Sequence, residues 1–290
     1  MPAPFVTRFA PSPTGFLHLG HAYSAMTAWD QAKAGNGAFL LRIEDIDQTR
    51  ARPEYEAAIY ADLAWLGLSW REPVWRQSER LEVYAAALDR LNRLGLTYPC
   101  RCTRADIRAA LAAPQAEAAH PSPSGAVYPG TCRGRTMAAS GPGDAIRLDM
   151  ERALAHLGGE TVTWRETGTA HAGTHALDAE VMRREVGDVV LARKDIGAAA
   201  YHLSVVVDDA AQGVTHVIRG EDLLEATPLH RLLQALLDLP APVWHHHRLL
   251  RDEAGRRLAK RSDAFAVRAY RDAGHTPEEV RRMAFAEGCD

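Results

Sequence analysis

Five residues, Pro11-Ser12-Pro13-Thr14-Gly15, separate two segments of different periodicity. Before them, Phe5 to Ala10 reads as a short strand; after them, His18 to Lys33 places Leu19, Tyr23, Met26 and Trp29 at helical spacing. Two prolines and a glycine continue neither pattern. Gly35-Asn36-Gly37 closes the helix, and Ala38 to Ile43 is an apolar run of strand length with Glu44-Asp45-Ile46-Asp47 at its carboxyl end. Strand, tight loop, helix and strand in this order open a parallel sheet, whose strands need a crossover helix. The expected fold class is therefore α/β, a doubly wound parallel, Rossmann-like core.

The rest of the chain punctuates that core. Helical patterns lie at about 53–67 and 78–95. From Tyr98 to Arg135 cysteine, proline and glycine rise and periodicity fades, which reads as an inserted module. Strand-like runs follow at Ala145–Met150, Thr161–Arg165 and Val189–Arg193. Tyr201–Val207 and Val214–Ile218 read as a return to the main sheet. Leu223–Leu237 reads as a helix, Val243–Leu250 as a strand, and 263–273 and 277–287 as short helices. The organisation expected is 1–97 and 191–262 as the two halves of the core domain, 98–190 as an inserted module, and 263–290 as short C-terminal helices.

Composition excludes several classes. No run approaches the roughly 18 apolar residues of a membrane span, and MPAPFVTRFAPSPTG lacks the basic head and apolar stretch of a secretory signal. A cytoplasmic protein with no membrane partner is expected. A net charge of −3 lacks the positive excess of a dedicated nucleic-acid-binding domain. Locally, His245 to Arg261 carries Arg248, Arg251, Arg256, Arg257, Lys260 and Arg261 against Asp252 and Glu253. Cys100, Cys102 and Cys132 cluster, and Cys289 stands alone. Three thiolates in a cytosolic chain point to a tetrahedral zinc, which needs a fourth donor; His120 is the generic candidate.

His18-Leu19-Gly20-His21 puts two imidazoles on the first turn of a helix, where backbone N–H groups and the positive end of the helix dipole favour anions. Gly20 leaves room for a nucleotide to approach the backbone. Far downstream, Arg257-Leu258-Ala259-Lys260-Arg261-Ser262 is a basic loop able to close over a triphosphate. Together these resemble the HIGH and KMSKS signatures of class I aminoacyl-tRNA synthetases. Thr7 to Gly15, Arg42 to Asp47 and Val217-Ile218-Arg219-Gly220-Glu221-Asp222-Leu223-Leu224 are similar to the glutamyl and glutaminyl branch. The resemblance spans about residues 5 to 265. Arg257 and Ala259 depart from the signature's first lysine and its usual serine, while Lys260 keeps the position of the second lysine.

The resemblance implies ATP with Mg2+ at His18, Gly20, His21 and Lys260, with His18, His21 and Lys260 catalytic. It implies L-glutamate at Arg8, Phe9, Ala10, Pro11, Ser12, Glu44, Tyr201 and Arg219. The chemistry agrees: arginines pair with carboxylates, Glu44 offers a counter-charge to an ammonium, and Tyr201 can hydrogen-bond a side-chain carboxylate. The pattern C-x-C…Y-x-x-x-C resembles the glutamyl-queuosine tRNA(Asp) synthetases, which implies one structural zinc on Cys100, Cys102, Tyr128 and Cys132. In such a family glutamate passes to queuosine at the wobble position of tRNA(Asp). The implied partner is the anticodon stem-loop, and the expected state is a monomer. Residues 263–290 are too few for the helical anticodon-binding region of a full-length glutamyl-tRNA synthetase.

Overall fold

The computed structural model describes residues 4–111, 121–122, 125–194, 198–250 and 266–286. The opening unit is as the sequence predicts. The strand Val6–Phe9 leads through the proline loop into the helix Leu19–Ala34 and back to the strand Ala38–Ile43. The two strands pair in parallel, Val6 opposite Ala38 through Phe9 opposite Leu41, and Arg71–Arg76 adds a third parallel strand.

A second parallel set consists of His216–Gly220, Val243–His247 and Thr163–Glu166, with Gly173–Ala176 antiparallel at its edge. The two sets meet edge to edge. The Thr215 N–H donates to the Val6 carbonyl at 2.9 Å, and the Val6 N–H donates to the Thr215 hydroxyl at 2.8 Å. Both faces are covered, as a parallel sheet requires. Leu41, Ile43, Met26 and Ile59 pack with Val267 and Val280 of the C-terminal helices on one face. Val6, Leu40, Val217 and Trp244 form a smaller cluster whose residues alternate with those along the strands.

A third sheet, antiparallel, orders Ala198–Ala199, Val190–Arg193, Ala145–Leu148 and Thr97–Cys100. The segment 98–190 is thus shared between this sheet and the second parallel set, to which Thr163–Glu166 belongs.

One expectation is corrected. Tyr201–Val207 is not a strand but the start of the helix Tyr201–Ala211. Every residue from Leu203 to Asp209 is buried there, so apolar positions show no one-sided stripe, and the valine run imitates a buried strand. The stretch 223–237 divides into a 3-10 turn, Glu221–Ala226, and the helix Thr227–Leu236. Pro228 sits in the first turn, where a missing N–H costs nothing.

Candidate active site

The seam between the two parallel sets is a topological switch point, where open α/β sheets bind ligands beyond the carboxyl ends of their strands. A cavity of about 460 Å³ opens there. Arg8, Phe9, Ala10, His18, Gly20, His21, Glu44, Tyr201 and Arg219, all predicted from sequence, line it. Pro11 and Ser12 do not; they form the adjoining loop, where the Pro11 carbonyl accepts the Glu44 N–H at 3.0 Å. The basic loop with Arg257, Ala259 and Lys260 lies outside the described residues.

The helix Leu19–Ala34 presents its N-terminus to the cavity. His18 caps it, accepting the His21 N–H on Nδ1 at 3.3 Å, while His21 Nδ1 accepts the His18 N–H at 3.2 Å. The rings stack with centroids 3.6 Å apart. Because both Nδ1 atoms accept, each neutral ring carries its proton on Nε2. Two imidazole donors thus join the helix dipole at an anion-binding position. A Cβ at residue 20 would lie 3.0 Å from the His18 ring, so glycine there also protects the placement of that imidazole.

Arg8 reaches Asp209 Oδ1 at 3.0 Å and the Ile218 carbonyl at 3.4 Å, which bridges the seam. Asp209 also accepts from Arg42 at 2.8 Å. Arg42 is fully buried and contacts Glu44 at 3.2 Å and Asp208 at 3.7 Å. Asp208 is further held by Gln77, Arg80 and Tyr84. Burial lifts the Glu44 carboxyl above its ordinary range, against the pull of Arg42 and Arg8.

Arg219 is buried, and its hydrogen bonds run to His246, His230, the Leu223 carbonyl and the Thr227 hydroxyl at 2.9–3.1 Å. Among the described residues it makes no ion pair with a carboxylate. Burial pulls its pKa down, and Tyr201 partly offsets this. A buried guanidinium on the wall of a cavity, with no carboxylate ion pair among the described residues, is chemically able to receive an anion.

The cysteine cluster lies elsewhere. The Cys100, Cys102 and Cys132 sulfurs lie within 4.8 Å of one another. Tyr128 Oη is 3.4 Å from both Cys100 and Cys102, and Cys102 is 3.6 Å from Cys132. Sulfurs about 2.3 Å from a tetrahedral zinc stand roughly 3.8 Å apart, so these donors fit one such ion. Burial opposes the Cys132 thiolate, yet hydrogen bonds from Tyr128, the Arg101 backbone and the other thiols bring it down to about 7. Burial and the thiols push the Tyr128 phenol up, a direction that a bound cation reverses. His120 lies outside the described residues.

Sequence reasoning missed Asp209, Glu166, His230 and His246. The run His245-His246-His247 was a visible signal, and the paired acids Asp208-Asp209 were another.

Comparison with known proteins places this geometry. The model of the class I tRNA synthetase (E and Q) catalytic domain matches residues 4–152 and 166–289. The Glutamyl-Q tRNA(Asp) synthetase of Rhodobacter capsulatus is 56% identical, covering 96% of this chain and 99% of the relative. The protein of that name from Nitratidesulfovibrio vulgaris is 43% identical over 92% of this chain and 81% of its own length. Among solved structures, the glutamate tRNA ligase of Elizabethkingia meningosepticum, crystallised with its amino acid, superposes with a TM-score of 0.74 at 27% identity. That alignment takes in 97% of this chain, which spans 60% of the ligase.

Proposed function

Since this chain belongs to the class I tRNA synthetase (E and Q) catalytic-domain family, we propose that it is a ligase that activates L-glutamate with ATP and transfers it to the cyclopentenediol of queuosine at the wobble position of tRNA(Asp). The observation that carries the glutamate half is Arg219, a buried positive charge with no carboxylate partner among the described residues, on a wall shared with Arg8 and Glu44. The acceptor half is supported by the names and coverage of the relatives.

In the first step an oxygen of the α-carboxylate attacks the α-phosphorus of ATP, and the bond to the departing pyrophosphate breaks. The carboxylate is already ionised near neutral pH, so no general base is needed. Catalysis rests on placement and on charge stabilisation. Arg219 and Tyr201 hold the side-chain carboxylate, and Glu44 holds the ammonium. Arg8, tethered through Asp209, adds a second arginine beside the side-chain carboxylate. His18 and His21 donate to phosphate oxygens at the helix N-terminus, Lys260 supplies positive charge for the leaving pyrophosphate, and Mg2+ would supply further charge neutralisation of the phosphates. In the second step a hydroxyl of the cyclopentenediol attacks the acyl carbonyl and AMP leaves. The protein acts as a monomer on the anticodon stem-loop. Cys100, Cys102, Tyr128 and Cys132 would hold one structural zinc.

The test is to charge RNA with labelled glutamate and identify the labelled nucleoside after digestion. Label on queuosine of tRNA(Asp), and none on tRNA(Glu), is expected. Label on a 3′-terminal adenosine would instead make the chain a shortened glutamyl-tRNA synthetase.

A further inference from the structure

The shell behind Arg219 is made of acceptors that carry no charge, and its hydrogen-bond directions can be worked out. A guanidinium only donates, so an imidazole nitrogen facing it must be unprotonated. Arg219 Nε donates to His246 Nε2 at 3.0 Å, so the ring proton of neutral His246 sits on Nδ1. That proton points at Glu166, whose Oε2 lies 2.5 Å away. On the other side Arg219 Nη1 faces His230 Nδ1 at 3.1 Å, which leaves the His230 proton on Nε2, directed at His202 Nδ1 at 3.0 Å.

Glu166 is itself fixed. Its Oε1 accepts backbone N–H groups from Thr167, Gly168 and His246 at 2.6–3.0 Å. Burial works against its charge, but these bonds and His246 outweigh that and bring its pKa down to about 2, so it is an anion. A Cβ at residue 168 would sit 2.2 Å from the His246 carbonyl oxygen, so the turn that delivers these donors needs a glycine.

We propose that Glu166 and His246 are positioning residues for Arg219 and thereby set the preference of the site for a side-chain carboxylate over a carboxamide. The inference rests on the reading of the cavity as a glutamate site. A carboxylate placed directly on Arg219 would orient it equally well but would neutralise it, and the charge that separates glutamate from glutamine would then count for little. Setting the carboxylate one imidazole away keeps the orientation and leaves the positive charge for the ligand. The carboxylate fixes the tautomer, the tautomer supplies an acceptor, and the acceptor fixes the guanidinium plane.

Steady-state pyrophosphate exchange with three variants tests this. His246→Leu removes the acceptor, and the KM for glutamate should rise about 30-fold, as for one lost hydrogen bond to a charged group. The KM for ATP should stay within about twofold, while that for glutamine changes little, so discrimination falls. His246→Gln, whose amide oxygen can accept from Nε, should recover most of the loss. Glu166→Gln is nearly isosteric, so it guards against a His246→Leu protein that does not fold. Its amide donates to Nδ1, moves the ring proton to Nε2 and sets N–H against N–H, so it should act in the same direction. Variants with the wild-type thermal midpoint and an unchanged glutamate KM would overturn the inference, as would glutamate and glutamine constants rising in parallel. Both outcomes presuppose a wild-type protein that activates glutamate. A wild type that does not would overturn the inference together with the reading beneath it.

Discussion

Arg42 and Arg219 are both buried guanidiniums, on the strands that flank Val6–Phe9 on either side, and their surroundings are opposite. Arg42 lies among Glu44, Asp208 and Asp209, so its charge is returned within the protein. Arg219 donates to two imidazoles, a carbonyl and a hydroxyl, so its charge is oriented but not returned. Burying an ion is costly unless it is paired. Arg42 therefore serves the fold, whereas Arg219 has no carboxylate ion pair among the described residues, and in the proposed reading the ligand supplies one.

That contrast can be broken at either end. The largest effect should come from Arg219→Met. Glutamate-dependent pyrophosphate exchange is expected to fall about 1000-fold, the scale of losing a buried charge pair with a ligand. Its thermal midpoint should equal or exceed the wild type, because an uncompensated buried charge has been removed. A clear loss of stability would place Arg219 with Arg42. The converse change, Arg42→Met, takes a cation from three carboxylates: Asp208 keeps Arg80 and Asp209 keeps Arg8, while Glu44 loses its ion pair. It should cost about 3–5 kcal/mol of folding stability by chemical denaturation, and an unchanged midpoint would end the distinction.

A smaller effect should appear in pH dependence. Glu44 lines the cavity, and its pKa is raised by burial. In the proposed site the ammonium of the substrate pairs with the ionised carboxylate, so protonation competes with binding. The KM for glutamate should therefore rise as pH falls through that raised pKa, about tenfold per unit below it. The onset should lie above the ordinary carboxylate range, and Glu44→Gln should flatten the profile while weakening binding. A profile whose onset stays in the ordinary range would assign the ammonium elsewhere. The smallest effect on activation should follow metal removal. One zinc per chain is expected by metal analysis, and less in Tyr128→Ala. A chelator should lower the thermal midpoint while leaving exchange within about twofold, because the cysteine cluster packs apart from the cavity.

Much of this was legible in the chain. Pro11 to Gly15 between a strand and a helix announced the parallel core, since only a crossover satisfies that order. Arg8, Glu44, His18, His21 and Arg219 stood in local motifs, and the cysteine spacing announced a donor cluster. The strand Arg71–Arg76 escaped because it is an edge strand, charged and interrupted by Pro73, without the apolar alternation that marks a strand. The helix Tyr201–Ala211 escaped because it is buried on all sides. The shell of Arg219 escaped for another reason. Glu166 and His246 are 80 residues apart, and only the parallel pairing of Thr163–Glu166 with Val243–His247 brings them together. Local pattern reports periodicity and punctuation, whereas a partner brought in by sheet topology leaves no trace at either position.

The most direct measurement is pyrophosphate exchange by the zinc-replete wild-type protein, with glutamate and glutamine compared at matched concentrations and without RNA. An oriented but uncompensated Arg219 predicts robust exchange with glutamate and a preference over glutamine of at least about 100-fold, the scale on which a pocket built for a charged group rejects its neutral analogue. Equal rates with the two amino acids, or no exchange with either, would contradict it.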